Sequence, residues 1–440
     1  MSFTVDTICA LSTPLGRAAL ALIRVSGPRV RNIAQILCRR PLKPRQPSLQ
    51  KLQNSEGQIL DEAVLTFFEA PHSYTGEDML EISCHGNPVI VEQIIDCLVS
   101  RETRLAEPGE FTRRALANQK MGLHEVESLD LILNAPSKMG VRKALESKLG
   151  GISTQSNLLR EKIFDLMVEM QSQLDFTEED VGQLERERLA AALKEIEIGL
   201  SGWASSFKSS RGMLSSWLVA LVGPPNSGKS TLFNALVGLN KAIVYDQPGT
   251  TRDYLEHELE MNGYAVRLVD TAGIRENPEE IERIGIEKSL EMMKAADLIC
   301  WVSEGIPPPS ELKDRFASKN WLSVHSKADC YPHENGKAGL RVSALSGQGM
   351  QDLKSAILPS AFRAGEGYEG VLLTSERQTL LVMEACELMR GAGDDLKGGG
   401  ELDLVVEKVL QASKRLEEVT GGLPTEAVLR GIFARFCIGK

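Results

Sequence analysis

The sequence predicts a multidomain protein that combines α/β domains with an all-α part. Its 440 residues exceed what one hydrophobic core organises, so about two to four domains are expected. Strand-like and helix-like segments are mixed near the start, apolar residues recur at helical spacing further on, and a second mixed segment interrupts that helical part. A shared bundle is the simplest way to bury apolar stripes on both sides of the interruption, whereas the alternative is two unrelated helical domains.

The predicted boundaries follow these changes of pattern. Residues 1–118 form an N-terminal α+β domain, and residues 119–212 form the first part of a helical domain. Residues 213–368 form an α/β domain inserted in the helical domain, which is completed by residues 369–440.

The composition excludes several classes of protein. Hydrophobic residues make up 42% of the chain and charged residues 25%, as in soluble globular proteins. We expect no membrane segment, because no apolar run approaches the ~20 residues that span a bilayer, and the first residues lack the layout of a signal peptide. Eight scattered cysteines indicate reduced thiols and a cytoplasmic protein. The net charge of −10 argues against nucleic-acid binding by the whole surface, although it permits a local basic patch.

The N-terminal domain is predicted from short apolar runs. Strands are expected at 7–11, 20–25, 61–68 and 78–83, and a helix at 89–98. The helical domain is predicted from stripes at steps of three and four and from a charge-rich segment at 184–200. The stripe residues are Leu159, Ile163, Leu166, Met170 and Leu174 before the insertion, and Leu381, Ala385, Leu388, Leu402, Val405, Val409, Ala412, Leu416, Val428, Ile432 and Phe436 after it.

The inserted domain begins with a phosphate-binding pattern. The apolar run 218–222 has the character of a buried strand and continues as Gly223-x-x-x-x-Gly228-Lys229-Ser230, followed by a helical pattern. Polyphosphate needs several inward backbone N–H groups, so glycine is favoured where a Cβ would block the approach. Lys229 is expected to reach the β- and γ-phosphates and to be catalytic, and Ser230 to hold Mg²⁺. The loop residues predicted to bind the nucleotide are Asn226, Ser227, Gly228, Lys229, Ser230 and Thr231.

Two further segments complete a phosphate site. A loop about 20 residues past the first pattern carries Thr251, the candidate second hydroxyl ligand for Mg²⁺. A hairpin turn at 262–263 then leads to Asp270, which suits the Mg²⁺ shell, and to Gly273, whose amide is expected to sense the γ-phosphate. The nucleotide-binding residues predicted here are Tyr245, Asp246, Gln247, Pro248, Gly249, Thr250, Thr251, Asp270, Thr271, Ala272 and Gly273.

Base recognition departs from the usual guanine motif. GTPases usually carry Asn-Lys-x-Asp, whereas this chain has Ser326, Lys327 and Asp329 in those positions, and Ser343, Ala344 and Leu345 supply the last base-contacting loop. A serine hydroxyl can make only some of the hydrogen bonds that the asparagine amide makes. We therefore expect weaker guanine binding, with specificity kept by Asp329. Ile274 stands where many GTPases have a water-orienting glutamine, and no arginine finger can be identified, so another charge must stabilise the transition state.

Three motifs give the sequence a specific family resemblance. Gly-Thr-Thr-Arg-Asp at 249–253, Asp-Thr-Ala-Gly-Ile-Arg at 270–275 and the ending Phe-Cys-Ile-Gly-Lys at 436–440 resemble the MnmE (TrmE) family of tRNA-modification GTPases. The segments 13–17, 73–78 and 108–113 match the same family, so the resemblance covers the whole chain. It implies an N-terminal folate-binding-like dimerisation domain and a Ras-like P-loop GTPase domain inserted in a helical bundle.

The resemblance also implies a function. Family members form homodimers and act in a heterotetramer with the flavoprotein MnmG (GidA), which carries the FAD. Together they install an aminomethyl or carboxymethylaminomethyl group on carbon 5 of the wobble uridine of certain tRNAs. GTP hydrolysis is required, and 5-formyltetrahydrofolate or a related tetrahydrofolate is the one-carbon donor.

Site residues follow from the same resemblance. A K⁺ ion replaces the missing arginine, and Glu282 orients the water. The residues that match the K⁺ site are Asn226, Tyr245, Gln247 and Thr250, and those that match the folate site are Arg24, Glu81, Lys120 and Lys440. Without the family resemblance, most of these charged residues would be interpreted as solvated surface groups.

The cysteine of the family's ending has two interpretations. Cys437 is a candidate reactive thiol, since Arg435 or Lys440 would lower its pKa, although by position alone it reads as a small buried residue. The other seven cysteines are expected to be structural.

Two other functions stay open on sequence grounds. One is a ribosome-assembly or RNA-binding switch GTPase without modification chemistry, which the folate-like N-terminal domain and the C-terminal ending disfavour. The other is a nucleotide-binding protein that hydrolyses slowly or accepts ATP, which Ser326 would permit.

Overall fold

The computed structural model describes residues 6–38, 41–54, 56–101, 103–176, 183–239, 255–270, 289–330, 339–358, 371–421, 426–433, 436 and 438–439. The chain divides into two compact units. Unit 1 comprises Met1–Asp130 and Leu416–Lys440, and unit 2 comprises Leu131–Arg415. Among the described residues, no helix is both long and apolar enough to cross a membrane.

Unit 1 is built on a six-stranded sheet. Its strands are β1 (Thr7–Leu11), β2 (Ala18–Ser26), β3 (Ser48–Gln53), β4 (Ile59–Phe68), β5 (Met79–Gly86) and β6 (Thr103–Leu105), in the order β3-β4-β5-β2-β1-β6. Neighbouring strands are antiparallel except for β1 and β6, which are parallel. Buried and more exposed residues alternate along β4, as expected for a strand with one face on the core.

Helices complete unit 1. They are α1 (Val30–Leu37), α2 (Pro88–Val99), α3 (Glu110–Ala117) and α4 (Leu123–Asn134), whose last turn lies past the unit boundary, together with α13 (Glu426–Phe433). The start of α2 is fixed locally, because the Asn87 side chain accepts a hydrogen bond from the Val89 N–H and Pro88 fits the first helical turn. Apolar residues of α1 and α2 form one core with the sheet, as Ile33, Leu98 and Ile82 illustrate.

Both ends of the chain contribute to unit 1. Phe433 and Phe436 pack with Leu123 and Val126 in one apolar cluster. Gly109 has a φ of 67°, and a Cβ there would lie 2.7 Å from the Phe433 ring, so glycine is needed for this approach. The Ser12 hydroxyl donates to the Gly439 carbonyl at 2.9 Å, which holds the C-terminal segment beside the first strands.

A buried ion cluster anchors the start of α3. The Glu110 carboxylate, 2% exposed, accepts hydrogen bonds from Arg104 at 2.6 Å and from Arg114 at 3.0 Å. Asp6 also accepts from Arg114, at 2.6 Å. Burial alone would raise the pKa of Glu110, but the hydrogen bonds from Arg104, the Glu107 backbone N–H and Arg114 outweigh it and lower the pKa to about 2.

Unit 2 contains a second six-stranded sheet. Its strands are β7 (Trp217–Val222), β8 (Leu255–Met261), β9 (Tyr264–Asp270), β10 (Leu298–Ser303), β11 (Asn320–His325) and β12 (Leu340–Arg341), in the order β12-β11-β10-β7-β9-β8. All pairs are parallel except the β8–β9 hairpin. Its associated helices are α8 (Lys229–Leu239), α9 (Ser310–Arg315) and α10 (Met350–Ile357). In a sheet of this kind, ligands bind at the carboxyl ends of the strands.

The helical part of unit 2 is formed by segments that precede and follow this sheet in the sequence. Its helices are α5 (Lys138–Glu146), α6 (Ile152–Phe176), α7 (Gln183–Leu214), α11 (Glu376–Lys397) and α12 (Leu402–Thr420), whose last turn lies past the unit boundary. A π-helical turn, Ser147–Gly151, joins α5 to α6. Helix α11 packs along α7, where Arg390 donates to Glu197 at 2.9 Å, and the Trp203 indole N–H donates to the Val371 carbonyl at 2.9 Å. Segments before and after the sheet therefore pack together, while the three predicted domain boundaries stay predictions.

Most predicted elements are confirmed, with one error of orientation. The strands at 7–11 and 61–68 lie within β1 and β4, and the turn at 262–263 joins β8 to β9. The first four residues of the earlier helical stripe are buried in α6. In α11 the predicted stripe was wrong by part of a turn: Val382 and Met389 are fully buried, whereas Leu381 and Leu388 are only half-buried. Ala385, the third predicted residue of this stripe, is fully buried as expected, and the buried side also carries Ala392.

Candidate functional site

The phosphate-binding pattern forms the turn between β7 and α8. Gly223 lies against β10, where a Cβ would come within 2.0 Å of the Val302 carbonyl oxygen, so no larger residue fits. Asn226 and Gly228 have φ values of 59° and 86°, in the left-handed region that glycine and asparagine tolerate best. The sequence therefore folds here into a tight loop that ends at the N-terminus of a helix, the arrangement that binds phosphate.

Two side chains in this loop have the chemistry of a phosphate site. The Lys229 ammonium donates to the carbonyls of Gly223 at 2.9 Å and Pro224 at 2.8 Å, so it curls over the loop. Burial lowers the pKa of Lys229, and the charge of Asp270 opposes that effect. The Ser227 hydroxyl is buried and has no hydrogen-bond partner within the described part of the chain. A bound phosphate would supply the missing acceptor.

Two of the three residues predicted to hold Mg²⁺ belong to the described chain, and both lie near the phosphate loop. Asp270 is the last residue of β9, pairs in register with Leu221 of β7, and is fully buried. Ser230 is exposed in the first turn of α8. Carboxylate and hydroxyl oxygens are the ligand types that Mg²⁺ prefers, so this pair fits the ion. The described residues contain no separate cluster of three or more His, Cys, Asp or Glu that could hold a metal.

The predicted base-binding segments follow β11 and β12. The Ser326 hydroxyl donates to the Ser227 carbonyl of the phosphate loop at 2.7 Å. Lys327, with a φ of 57°, forms an ion pair with Glu304. A hydrogen bond from Ser343 lowers the pKa of Asp329. The structure thus brings this segment against the phosphate loop and pairs Asp329 with the Ser343 loop.

The other two residues of the Ser343 loop differ in burial, since Ala344 is half-buried and Leu345 is 82% exposed. Of the remaining predicted nucleotide residues, Asn226 and Thr231 are exposed within the described chain. The rest lie outside the described residues and stay predictions: Tyr245, Asp246, Gln247, Pro248, Gly249, Thr250, Thr251, Thr271, Ala272, Gly273 and Glu282.

In unit 1, three of the four residues expected to bind a folate lie around one loop. Arg24 and Glu81 lie opposite each other on β2 and β5 and form an ion pair at 3.0 Å. The Arg24 guanidinium also lies 5.4 Å from the centre of the Tyr74 ring. A Cβ on Gly76, two residues after Tyr74, would meet the Lys120 side chain at 3.1 Å. Arg24, Glu81 and Lys120 are therefore gathered around residues 74–76.

The C-terminal candidates, Cys437 and Lys440, lie outside the described residues and stay predictions. Of the seven cysteines taken as structural, six are buried, but Cys330 is exposed beside Asp329, which fits a packing role poorly.

Sequence reasoning missed two neighbours of these sites. Tyr74 belongs to a segment that carried the family resemblance but was given no role, and its position beside Arg24 arises from the fold of the loop. Glu304, the partner of Lys327, comes directly after β10. Ligands bind at the carboxyl ends of parallel strands, so the position of Glu304 directly after a predictable strand could have indicated that it lies near the site.

Comparisons with known proteins agree with this organisation. Residues 7–120 match the family model described as the GTP-binding protein TrmE N-terminus, and residues 123–437 match the MnmE helical domain. The chain is 35% identical over 450 residues to a tRNA modification GTPase MnmE from Aquifex aeolicus, covering 99% of this chain and 100% of that protein. It is 36% identical over 458 residues to one from Neisseria meningitidis, covering 100% of both chains. A third, from Koribacter versatilis, is 34% identical over 450 residues and covers 99% of both.

Proposed function

The chain belongs to the MnmE family of tRNA modification GTPases, and we propose that it hydrolyses GTP to support modification of the wobble uridine of certain tRNAs. The modification is the addition of an aminomethyl or carboxymethylaminomethyl group at carbon 5. The proposal includes a homodimer in the cytoplasm that acts with the FAD-containing partner MnmG.

One observation carries the nucleotide part of the proposal. The buried Ser227 hydroxyl lacks a partner within the described chain, and the Lys229 ammonium is held over the same loop by two carbonyls. Since unpaired buried hydroxyls are costly, the loop is preorganised for a ligand that brings acceptor oxygens. A triphosphate brings several.

The chain's own residues then have distinct tasks. Lys229 exchanges its carbonyl acceptors for phosphate oxygens, and Asp329 accepts hydrogen bonds from the base. Ser230, Thr251 and Asp270 would hold Mg²⁺, which neutralises charge on the phosphates when bound. Glu282 orients the attacking water.

A second cation completes the proposed nucleotide site. Asn226, Tyr245, Gln247 and Thr250 would hold K⁺, which supplies the positive charge that an arginine gives in other GTPases. Asn226 is exposed at the turn of the loop, in a position where its side chain is accessible to such an ion.

Unit 1 is proposed to bind the one-carbon donor, 5-formyltetrahydrofolate or a related tetrahydrofolate. A folate carries carboxylates and a ring with several hydrogen-bonding groups, which suit a guanidinium, a carboxylate and an ammonium around one loop. Arg24, Glu81 and Lys120 supply these groups, and Lys440 would add a second ammonium. Cys437 is proposed as a reactive thiol.

The test uses cells that lack the protein and are complemented with variants. Mass analysis of wobble nucleosides should show the modified uridine with the wild-type chain and its absence with Lys229→Ala. Lys313→Ala is the matched control, because Lys313 is an exposed lysine on α9 of the same unit and should restore modification. Unchanged nucleosides in cells without the protein would refute the modification role, and full rescue by Lys229→Ala would refute the need for GTP.

A further inference from the structure

The Ser326 side chain faces the phosphate loop. Its Oγ lies 2.7 Å from the Ser227 carbonyl oxygen and 3.2 Å from the Ser303 carbonyl oxygen, and the residue is 8% exposed. Carbonyl oxygens only accept hydrogen bonds, and a serine hydroxyl has a single proton. That proton is therefore committed to backbone acceptors, with the shorter contact to Ser227.

The direction of the Ser227 carbonyl determines where the next backbone N–H of the loop points. In a planar trans peptide the C=O and the following N–H point in opposite directions. Drawing the Ser227 oxygen towards Ser326 therefore turns the Gly228 N–H to the opposite side. Gly228, directly after this peptide, has a φ of 86°, in the left-handed region that glycine adopts readily.

We propose that Ser326 is a positioning residue for the phosphate loop and donates no hydrogen bond to the base. The proposal rests on the proposed function, because it concerns the same nucleotide site. Ser326 fixes the orientation of a loop amide that binds phosphate, and the guanine is recognised without a donor from this position.

The chemistry of guanine makes this distinction measurable. Guanine carries hydrogen-bond acceptors at N7 and O6, to which a donor at position 326 would bind. Asp329, by contrast, can only accept hydrogen bonds from the N–H groups of guanine. With no proton available from Ser326, removing N7 from the base should cost little. A 7-deazaguanine nucleotide replaces N7 by carbon and keeps the remaining hydrogen-bonding groups.

The test measures dissociation constants of GDP and 7-deaza-GDP by titration calorimetry. The wild-type chain should bind both within about threefold of each other. Ser326→Ala should weaken both by the same factor, about 5- to 10-fold, because the Ser227 carbonyl loses its partner. Ser303→Ala is the matched control, since Ser303 is also a buried serine but its hydroxyl donates to the Ile306 carbonyl at 2.7 Å. It should leave both affinities nearly unchanged.

A gain-of-function variant supplies a second arm. Ser326→Asn introduces an amide with two protons, one for Ser227 and one for a base acceptor, so preference for GDP over 7-deaza-GDP should rise about tenfold. A wild-type preference of tenfold or more that Ser326→Ala abolishes would overturn the positioning role, because the hydroxyl would then read the base. Absence of any guanine-nucleotide binding would instead refute the proposed function itself. If Ser326→Ala fails to fold, the wild-type comparison and Ser326→Asn still test the base contact, because equal binding of GDP and 7-deaza-GDP by the wild-type chain excludes a donor to N7 from position 326.

Discussion

Neutralising Glu110 should destabilise unit 1 in a pH-dependent way. In Glu110→Gln the side chain keeps its size but loses the charge that Arg104 and Arg114 surround. The pKa lowered from 4.5 to about 2 corresponds to about 3 kcal/mol of folding free energy at neutral pH. Because the folded-state pKa is the lower one, this stability is complete above pH 4.5 and is lost as pH falls towards 2. At pH 3 somewhat less than half of it remains.

The assay must separate the two units. All four tryptophans, at 203, 217, 301 and 321, lie in unit 2, so their fluorescence follows the unfolding of that unit alone. Hydrogen exchange of peptides from α3, read by mass spectrometry and corrected for intrinsic rates, follows the opening of unit 1. Glu110→Gln should exchange about 100-fold faster than wild type at pH 7 and about 10-fold faster at pH 3. Tryptophan fluorescence should report the same unfolding midpoint for both proteins.

The control is Glu92→Gln, which neutralises an exposed carboxylate on α2 in the same unit and should leave exchange unchanged. Asp6 pairs with Arg104 and Arg114 as well, and it is present in every variant of the comparison. Equal protection of wild type and Glu110→Gln at pH 7 would refute the reasoning. A difference that stays constant between pH 7 and pH 3 would do the same.

Three further predictions concern the nucleotide site. Gly223→Ala should abolish GTP binding in a titration, because a Cβ would lie 2.0 Å from the Val302 oxygen; affinity within threefold of wild type would contradict the loop geometry. Replacing K⁺ by Na⁺ at constant ionic strength should slow phosphate release at least tenfold, and an indifferent rate would reject the cation site at Asn226. Glu282→Ala should leave GTP affinity within about twofold and lower turnover about 100-fold, whereas a normal rate would assign the water to another residue.

The sequence located the phosphate loop correctly because its signals are local. The apolar run before Gly223 forms β7, the residues after Gly228 form α8, and Asp270 ends a strand beside them. Glycine spacing and strand periodicity depend on neighbouring residues in the chain, so they can be read without knowing the fold. The stripe from Leu402 to Leu416 succeeded for the same reason, and all five of its positions are buried.

Contacts across long separations could not be predicted in this way. The hydrogen bond from Ser326 to Ser227 joins residues 99 positions apart, and the ion pair of Arg24 with Glu81 spans 57. Such pairs depend on strand order and register, which hydrophobic periodicity leaves undetermined. The cluster around Glu110 was missed because single charged residues read as solvated groups until their partners are known.

The hydrogen bond between Ser12 and Gly439 also constrains how the molecule is made. Synthesis delivers residues 1–130 early, but their apolar cluster with Phe433 and Phe436 stays incomplete until residues 416–440 have emerged from the ribosome. Leu131–Arg415 is already available by then, so unit 2 can finish folding while the other unit waits for its last helix. A nascent chain arrested before residue 426 would therefore leave Leu123 and Val126 without their apolar partners from α13.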